Sequence, residues 1–418
     1  MRTMELDLAG HRIKRIRISG GTSLEGQDLY VDPQDVGAIV SSEAAIRLVR
    51  VAAVHPGDPV RFGPVLDVVE PRAKEDSQGS AFPGWTGPPS AAGQGRTHVL
   101  SGMAVAAVGR MAGVQEGIVD MGVEARPYSP FSRTCNLVLV FEAAEGADRL
   151  AVDGAIRKSL LRIAERLAAL GRSQEPEYSG KWVWPPPASS LPRAALVYQV
   201  QSQGDLRRTF VYGRSADSML PTLLNPLEVL DGAVVSGNFV LPSNKTCTYI
   251  HQNHPLILEM LRRHGADLTL AGVILTNEAS QMSDKEKSAQ VVEKMARSLH
   301  IQGVVINQEG GANTLSDVML LCRLLTQSGI KTVLLVNEFA GSDGKTPSLA
   351  ETTAEATAIV STGNNDHRIP LPPREEFIGF FPLQGIEGDA AGEITAPLAR
   401  IYASTNQLGY NRLSCRTR

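Results

Sequence analysis

The pattern of apolar and polar positions changes near the middle of the chain. Up to about residue 235 it is dominated by short runs closed by Gly or Pro. HRIKRIRISG (11–20) and GQDLYVDP (26–33) alternate apolar and polar residues, as half-buried strands do. RTHVLSGMAVAAVGRM (96–111), CNLVLVFEAA (135–144) and RAALVYQVQSQ (193–203) are further strand candidates. One stretch, AIRKSLLRIAERLAALG (155–171), has apolar residues at helical spacing and ends on Gly171. The Gly/Pro/Ser-rich segment GSAFPGWTGPPSAAGQGRTH (79–98) predicts no regular element, and reads as a surface loop or as a loop laid over a site.

Beyond residue 235 the pattern alternates between continuous apolar runs and helical periodicity. Strands are predicted near 270–276, 303–307, 332–337 and 358–361. Helices are predicted over DKEKSAQVVEKMARSLHI (284–301), TLSDVMLLCRLLTQSG (314–329) and SLAETTAEATA (348–358). Runs apolar on both faces suit a covered parallel sheet, and the alternation implies βαβ units. The expected fold is α/β: a β-rich domain over 1–235, then a doubly wound, mostly parallel α/β domain over 236–418.

Open parallel sheets bind ligands beyond the carboxyl ends of their strands. Here those ends read Asn277-Glu278, then Asn307-Gln308-Glu309-Gly310-Gly311, then Asn337-Glu338, with Asp343 and Asn364 beyond. Helix capping accounts for some of these residues. A Glu repeated at three strand ends is poor capping chemistry, so Glu278, Glu309 and Glu338 are candidates for a pocket taking a small cationic or zwitterionic ligand.

Composition narrows the function. The chain has 418 residues, is 43% hydrophobic and 20% charged, and has a net charge of −3, which points to neither a nucleic-acid surface nor a membrane face. No apolar run is long enough to span a bilayer and the first twenty residues lack a signal-peptide core, so a cytoplasmic location is expected. Cys135, Cys247, Cys322 and Cys415 are widely spaced, which argues against a disulfide framework or a zinc site. No dinucleotide or P-loop fingerprint follows a strand in the second half, and no nucleophile elbow or HExxH occurs, so no nucleotide is expected. His251 and His254 stand three apart with no third ligand in view, so no metal is expected.

Most of the candidate chemistry falls in SNKTCTYIHQNHP (243–255). It holds two nucleophile types, Ser243 and Cys247, with Thr246, His251 and Asn253 beside them. Cys322 sits in an apolar helix and reads as a packed residue. Cys247 is the cysteine in a polar and, on this reading, accessible setting.

TYIHQNHPLILEMLRRHGADLTLAGVILTNE (248–278) resembles the glycine, sarcosine and betaine reductase family, in particular the proprotein subunit of component B. So do EPRAKEDSQGSAFPGWTGP, GQGRTHVLSGMAVAAVGRMAGVQEGIVDMG, YSPFSRTCNLVLVFE, LPTLLNPLEVLDGAVVSGNFV, SDKEKSAQVVEKMA, NEFAGSDGKTPSLAE and STNQLGYNRL, which together cover nearly the whole chain. The D-proline reductase proprotein is a more distant likeness. The resemblance implies cleavage near the middle of the chain, with a cysteine after the cut becoming a pyruvoyl group. Its ketone forms a Schiff base with a small amine, and a selenocysteine- or cysteine-containing partner subunit reductively cleaves the C–N bond. Cys247, the cysteine within the window, is the first choice of precursor, with the cut after Thr246, and Ser243 is the alternative. The family's cysteine lies a few residues upstream of the Tyr-x-His-Gln-Asn run, which falls on Ser243 and puts the cut after Pro242. His251 is the residue type suited to be the base. Three readings follow: a pyruvoyl-dependent reductase subunit working in an oligomeric complex, an uncleaved scaffold that binds a ligand or partner, and a metal-dependent hydrolase built on His251, His254 and the glutamates.

Overall fold

A computed structural model describes residues 3–77, 79–111, 117–184, 190–202, 208–217, 219–237, 241–311, 313–411 and 414–415. The protein is α/β. In the first half, one four-stranded sheet runs Tyr178–Trp184, Met4–Arg12, Gly95–Ser101, Arg72–Lys74, and a second runs Ile46–Val54, Cys135–Ala143, Met103–Gly109, Val65–Val69. The predicted run 96–111 is therefore two strands in different sheets. Gly102, at φ 78°, makes the break between them, a left-handed conformation that favours glycine. The helix Arg149–Ala168 packs Ile156, Leu160 and Ile163 onto both sheets. The Gly/Pro-rich segment is a surface loop only in part: Ser80, Ala81 and Phe82 are buried and Trp85 stacks edge-on against Phe210, while Gly84, Pro88, Pro89 and Ser90 are exposed.

Five parallel strands form the centre of the second layer: β1 (Arg193–Val200), β2 (Thr269–Asn277), β3 (Gly303–Gln308), β4 (Lys331–Glu338) and β5 (Ile359–Asn364). Their order is β2-β1-β3-β4-β5, with Thr222–Leu224 and Ser414–Cys415 as antiparallel edges. The expected parallel strands are all present, but β2 and β3 are not neighbours, because β1 lies between them. A position near residue 235 therefore does not separate the two sheet systems. The late strand Glu376–Gly379 likewise crosses over to pair with Val60–Gly63 of the first half.

Helices α1 (Thr248–Gln252) and α2 (Pro255–Arg263) precede β2. Helices α3 (Met282–Ser298) and α4 (Asn313–Gln327) follow β2 and β3. Both α3 and α4 cover one sheet face, where Ala289, Val292, Val318 and Leu325 meet Val197, Ile274, Ile306 and Leu334. The other face packs Leu196, Tyr198, Val273 and Leu275 against α2 and against Val65, Val68, Val138 and Val140 of the first half. The helix predicted over 348–358 does not form. That segment carries Thr352, Thr353 and Thr357, whose branched side chains weaken a short helix, and it lines a cavity instead.

Chain direction reverses about β1: the path goes out to β2 on one side, then to β3 on the other. The crevice at the carboxyl end of β1 is the switch point at which such sheets bind ligands.

Because the central strand comes from the first half, residues 236–418 expressed alone are expected to show no cooperative unfolding transition by circular dichroism. A folded, cooperative fragment would contradict the shared sheet.

Candidate active site

The segment from Ser243 to His254 lies beneath the switch point, inside the protein rather than on it. Ser243, Asn244, Cys247, Thr248, His251 and His254 have no exposed surface, and Lys245 and Thr246 are 1% exposed. Cys247 is thus not accessible, contrary to the expectation from its polar neighbours: those neighbours are buried with it.

Each end of the segment is held by another part of the chain. Helix α1 has no cap from its own Cys247. The Asp67 carboxylate caps it from the strand Val65–Val69, accepting from the Thr248 N–H at 3.0 Å and from Thr248 Oγ1 at 2.6 Å. The Gln252 side chain continues that strand's pairing, accepting from the Glu70 N–H at 3.0 Å and donating to the Glu70 carbonyl at 3.2 Å. On the other side runs the C-terminal segment. Ala403 N–H donates to the Pro242 carbonyl at 2.8 Å and Thr405 N–H to the Ser243 carbonyl at 2.9 Å. Asn406 Nδ2 donates to the Lys245 carbonyl at 2.9 Å and to Thr246 Oγ1 at 3.0 Å. Ala403 has φ 60°, an uncommon conformation for a residue with a side chain. The Pro242 carbonyl receives a second N–H, from Lys245, at 3.4 Å.

Burial dominates the electrostatics. It raises the Cys247 thiol, with the Asp67 charge adding to the effect, and it lowers the Lys245 ammonium against the opposing pull of Asp67, Cys247 and Glu309. Lys245 Nζ donates to the Gly237 carbonyl. The Tyr402 hydroxyl, which lies near Cys247, donates to the Leu66 carbonyl at 3.3 Å, and the contacts of His251 are to Tyr198 and Glu309. His251 Nδ1 lies 2.9 Å from the Tyr198 hydroxyl, and Nε2 lies 3.5 Å from Glu309 Oε1. Burial, with repulsion from His254 and Lys245, holds His251 well below its ordinary range, so it is a neutral imidazole and not the near-neutral titrating base expected. Burial likewise brings His254 down to about 3. Glu309 Oε2 accepts from the Gln201 N–H and from Thr209 Oγ1, each at 2.7 Å, and burial moves this carboxyl from its ordinary 4.5 to about 7.

The three strand-end glutamates do not share one pocket. Glu309 faces His251. Glu278 stands across Gly310, where an added Cβ would meet Glu278 Oε1 at 2.9 Å. Glu338 lines a separate cavity of about 470 Å³ with Val336, Leu349 and Thr353. The reason is strand alternation: Asn337, bonded to Gln407 at 2.9 Å, and Glu338 point to opposite faces. Asn253 does not line the site either. Its amide donates to Glu70 Oε2 at 3.0 Å and accepts from Arg72 at 3.2 Å, which makes it a clamp on α1. Among the described residues, no group of three or more His, Cys, Asp and Glu side chains is placed to hold a metal.

Asp67, Lys245, Tyr198, Tyr402 and Asn406 were not singled out from the sequence. Asp67 carried a signal, a lone acid in the apolar run VLDVV, which a buried strand tolerates only with a partner. Buried amide atoms without a partner among the described residues also gather at the strand ends: both side-chain atoms of Asn307, Asn337 Nδ2 and Gln407 Oε1. Each such atom costs about 1–3 kcal/mol in a sealed interior, which points to a site built for a polar ligand.

The sequence profile of the glycine/sarcosine/betaine reductase component B subunits matches residues 4–416. The chain is 37% identical over 429 aligned positions to the glycine reductase complex component B subunits alpha and beta of Acetoanaerobium sticklandii, covering 99% of this chain and all of that one. It is 38% identical to the sarcosine reductase complex component B subunit alpha of Peptoclostridium acidaminophilum, with the same coverage. The D-proline reductase proprotein of A. sticklandii is 22% identical over 331 positions, covering 73% of this chain and 50% of that one. No solved structure matches.

A carboxyl raised by folding stabilises the fold fully below its unfolded pKa and loses that contribution as pH rises through the folded value. For Glu309 the window is pH 4.5 to 7. Across it the unmodified protein is expected to lose up to about 3 kcal/mol relative to Glu309→Gln, read from denaturant midpoints. Parallel pH profiles for the two proteins would show that Glu309 is not held in this way.

Proposed function

The chain belongs to the family of glycine/sarcosine/betaine reductase component B subunits, and from that membership we propose that it is a pyruvoyl-forming subunit of a reductase complex, with Ser243 as the precursor residue. The complex cleaves the C–N bond of a small amine or amino acid, taking its two electrons from a partner subunit that bears a selenol or thiol. The pyruvoyl ketone supplies an electron-accepting carbonyl that condenses with an amine.

One observation carries the choice of Ser243. The Pro242 carbonyl, which the Ser243 hydroxyl must attack, receives N–H groups from Ala403 and Lys245. Two donors aimed at a carbonyl oxygen stabilise the negative charge that develops on attack. Among the described residues no N–H donates to the Thr246 carbonyl, which the Cys247 thiol would attack. In the proposed sequence the Ser243 oxygen bonds to the Pro242 carbonyl carbon and the peptide C–N bond breaks, leaving an ester and a free amine on Ser243. Loss of the Ser243 Cα proton expels the Pro242 carboxylate and leaves a dehydroalanine. Water then replaces its amino group and ammonia departs. Lys245, held toward its neutral amine by burial two residues from Ser243, is the base for the Cα proton. Asn406 and Thr405 keep the segment in register during these steps. Glu309, with neutral His251 and Tyr198, forms the polar wall facing the new group.

Cutting after Pro242 leaves 242 and 176 residues, about 26 and 19 kDa of the 44.8 kDa chain. On a denaturing gel the unmodified protein is expected to run as these two pieces, Ser243→Ala as one full-length chain, and Cys247→Ala as the same two pieces. Cleavage lost in Cys247→Ala and kept in Ser243→Ala would move the precursor to Cys247 and the cut to Thr246. A full-length unmodified protein, with and without its partner subunit, would favour the uncleaved scaffold.

A further inference from the structure

Glu278 ends β2 in an unusual state. It is 3% exposed, and its carboxylate faces the Ser202 backbone N–H but makes no hydrogen bond to a side chain among the described residues. It stands at the inner end of an open cleft of about 620 Å³, whose walls include Arg208, Asp217, Met219, Leu220 and Lys287.

The cations around it are already engaged. Lys285 of α3 is paired with Asp317 of α4 and also donates to the Asn313 carbonyl at 3.1 Å. Arg208 is paired with Asp217 at 2.6 Å, and Lys287 with Asp284 at 2.9 Å. Glu309, at the end of β3, adds a second acidic group nearby. Once these pairs are closed, Glu278 is the carboxylate in the cleft that lacks a counter-ion among the described residues.

We propose that this cleft binds the ammonium end of a small amine, with Glu278 as its counter-ion. As a subsite for the reductase's substrate it rests on the function proposed above; as a binding site for ammonium ions it does not. Its position suits delivery. Gly310, at φ 84°, lies against Glu278 Oε1 and Gln201 Oε1, and its carbonyl accepts from Asn244 Nδ2 at 2.9 Å. One glycine turn therefore separates the carboxylate from the residue that follows Ser243. An anionic ligand finds no opposite charge there, because the cations around the cleft are already paired.

The site also couples binding to protons. Burial first, then repulsion from Glu309 and Asp317, holds Glu278 well above the usual carboxylate range, against smaller opposing effects of the Ser202 backbone N–H and of Lys285. Glu278 is thereby biased toward its protonated form, and a bound cation favours release of that proton. Affinity must then rise with pH, by up to about tenfold per unit below the carboxyl's own pKa.

The test is calorimetric titration of the Ser243→Ala chain, which cannot form the ketone, with ethylammonium chloride. Matched buffers of different ionisation enthalpy report proton release. Saturable binding, release of a proton and affinity rising with pH are expected, with a loss of at least about tenfold when Glu278→Gln is added. Sodium acetate is expected not to bind. No ethylammonium binding, pH-independent binding without proton release, or unchanged binding in the Glu278→Gln chain would overturn the proposal. Circular dichroism checks that variant's fold, and if it is unfolded the proton release of the Ser243→Ala chain alone decides. Failure of the reductase reading would appear separately, as an uncleaved unmodified protein, and leaves this titration unaffected.

Discussion

The rest of the structure is arranged around the burial of one polar segment. From Ser243 to His254 every residue except Asn253 is buried, yet the stretch contains a lysine, two histidines, four hydroxyls and several amides. A buried polar group left without a partner costs about 1–3 kcal/mol, so the segment can enter the interior only if distant parts of the chain supply partners together. Asp67 and Glu70 come from an early strand, Tyr198 and Glu309 from the switch point, and residues 402–406 from the C-terminal segment. The segment is therefore where the two halves of the protein meet.

The same constraint bears on what the proposed cleavage would do. A cut at Pro242 leaves β1 on the larger piece, while β2 and β3, which flank it, lie on the smaller. Neither piece keeps the sheet without the other, so the two remain one structure after cleavage. A terminus at residue 243, as proposed, would stay beneath the switch point, because Thr405 and Asn406 hold that backbone from the smaller piece itself. Sealing the segment from water also shifts its titratable groups: Lys245 and His251 move toward neutrality and Glu309 toward about 7, which lowers the charge held in the interior.

Local pattern revealed the α/β class, the parallel strands and helices α3 and α4, because continuous apolar runs and 3.6-residue periodicity are local properties. It did not reveal that β1 sits between β2 and β3, since strand order depends on contacts between residues far apart in sequence. The helix expected over 348–358 failed for a local reason, its threonines, outweighed by the apparent alternation of elements. In the site, the window around Ser243 and Cys247 and the glutamate at the end of β3 were legible as clusters of polar residues. Their burial was not, because burial is conferred by Asp67 and by the segment 402–406, which are remote in sequence. Strand alternation, hidden until register is known, is what sends Glu338 to another cavity and Glu309 to His251.

The most direct test of the account is the intact mass of the smaller fragment from the purified, unmodified protein. The account predicts a chain beginning at residue 243, lighter by one ammonia than a fragment with a serine terminus, and gaining two hydrogens on borohydride treatment. A fragment of unmodified serine mass, a fragment beginning elsewhere, or a single uncut chain would contradict it.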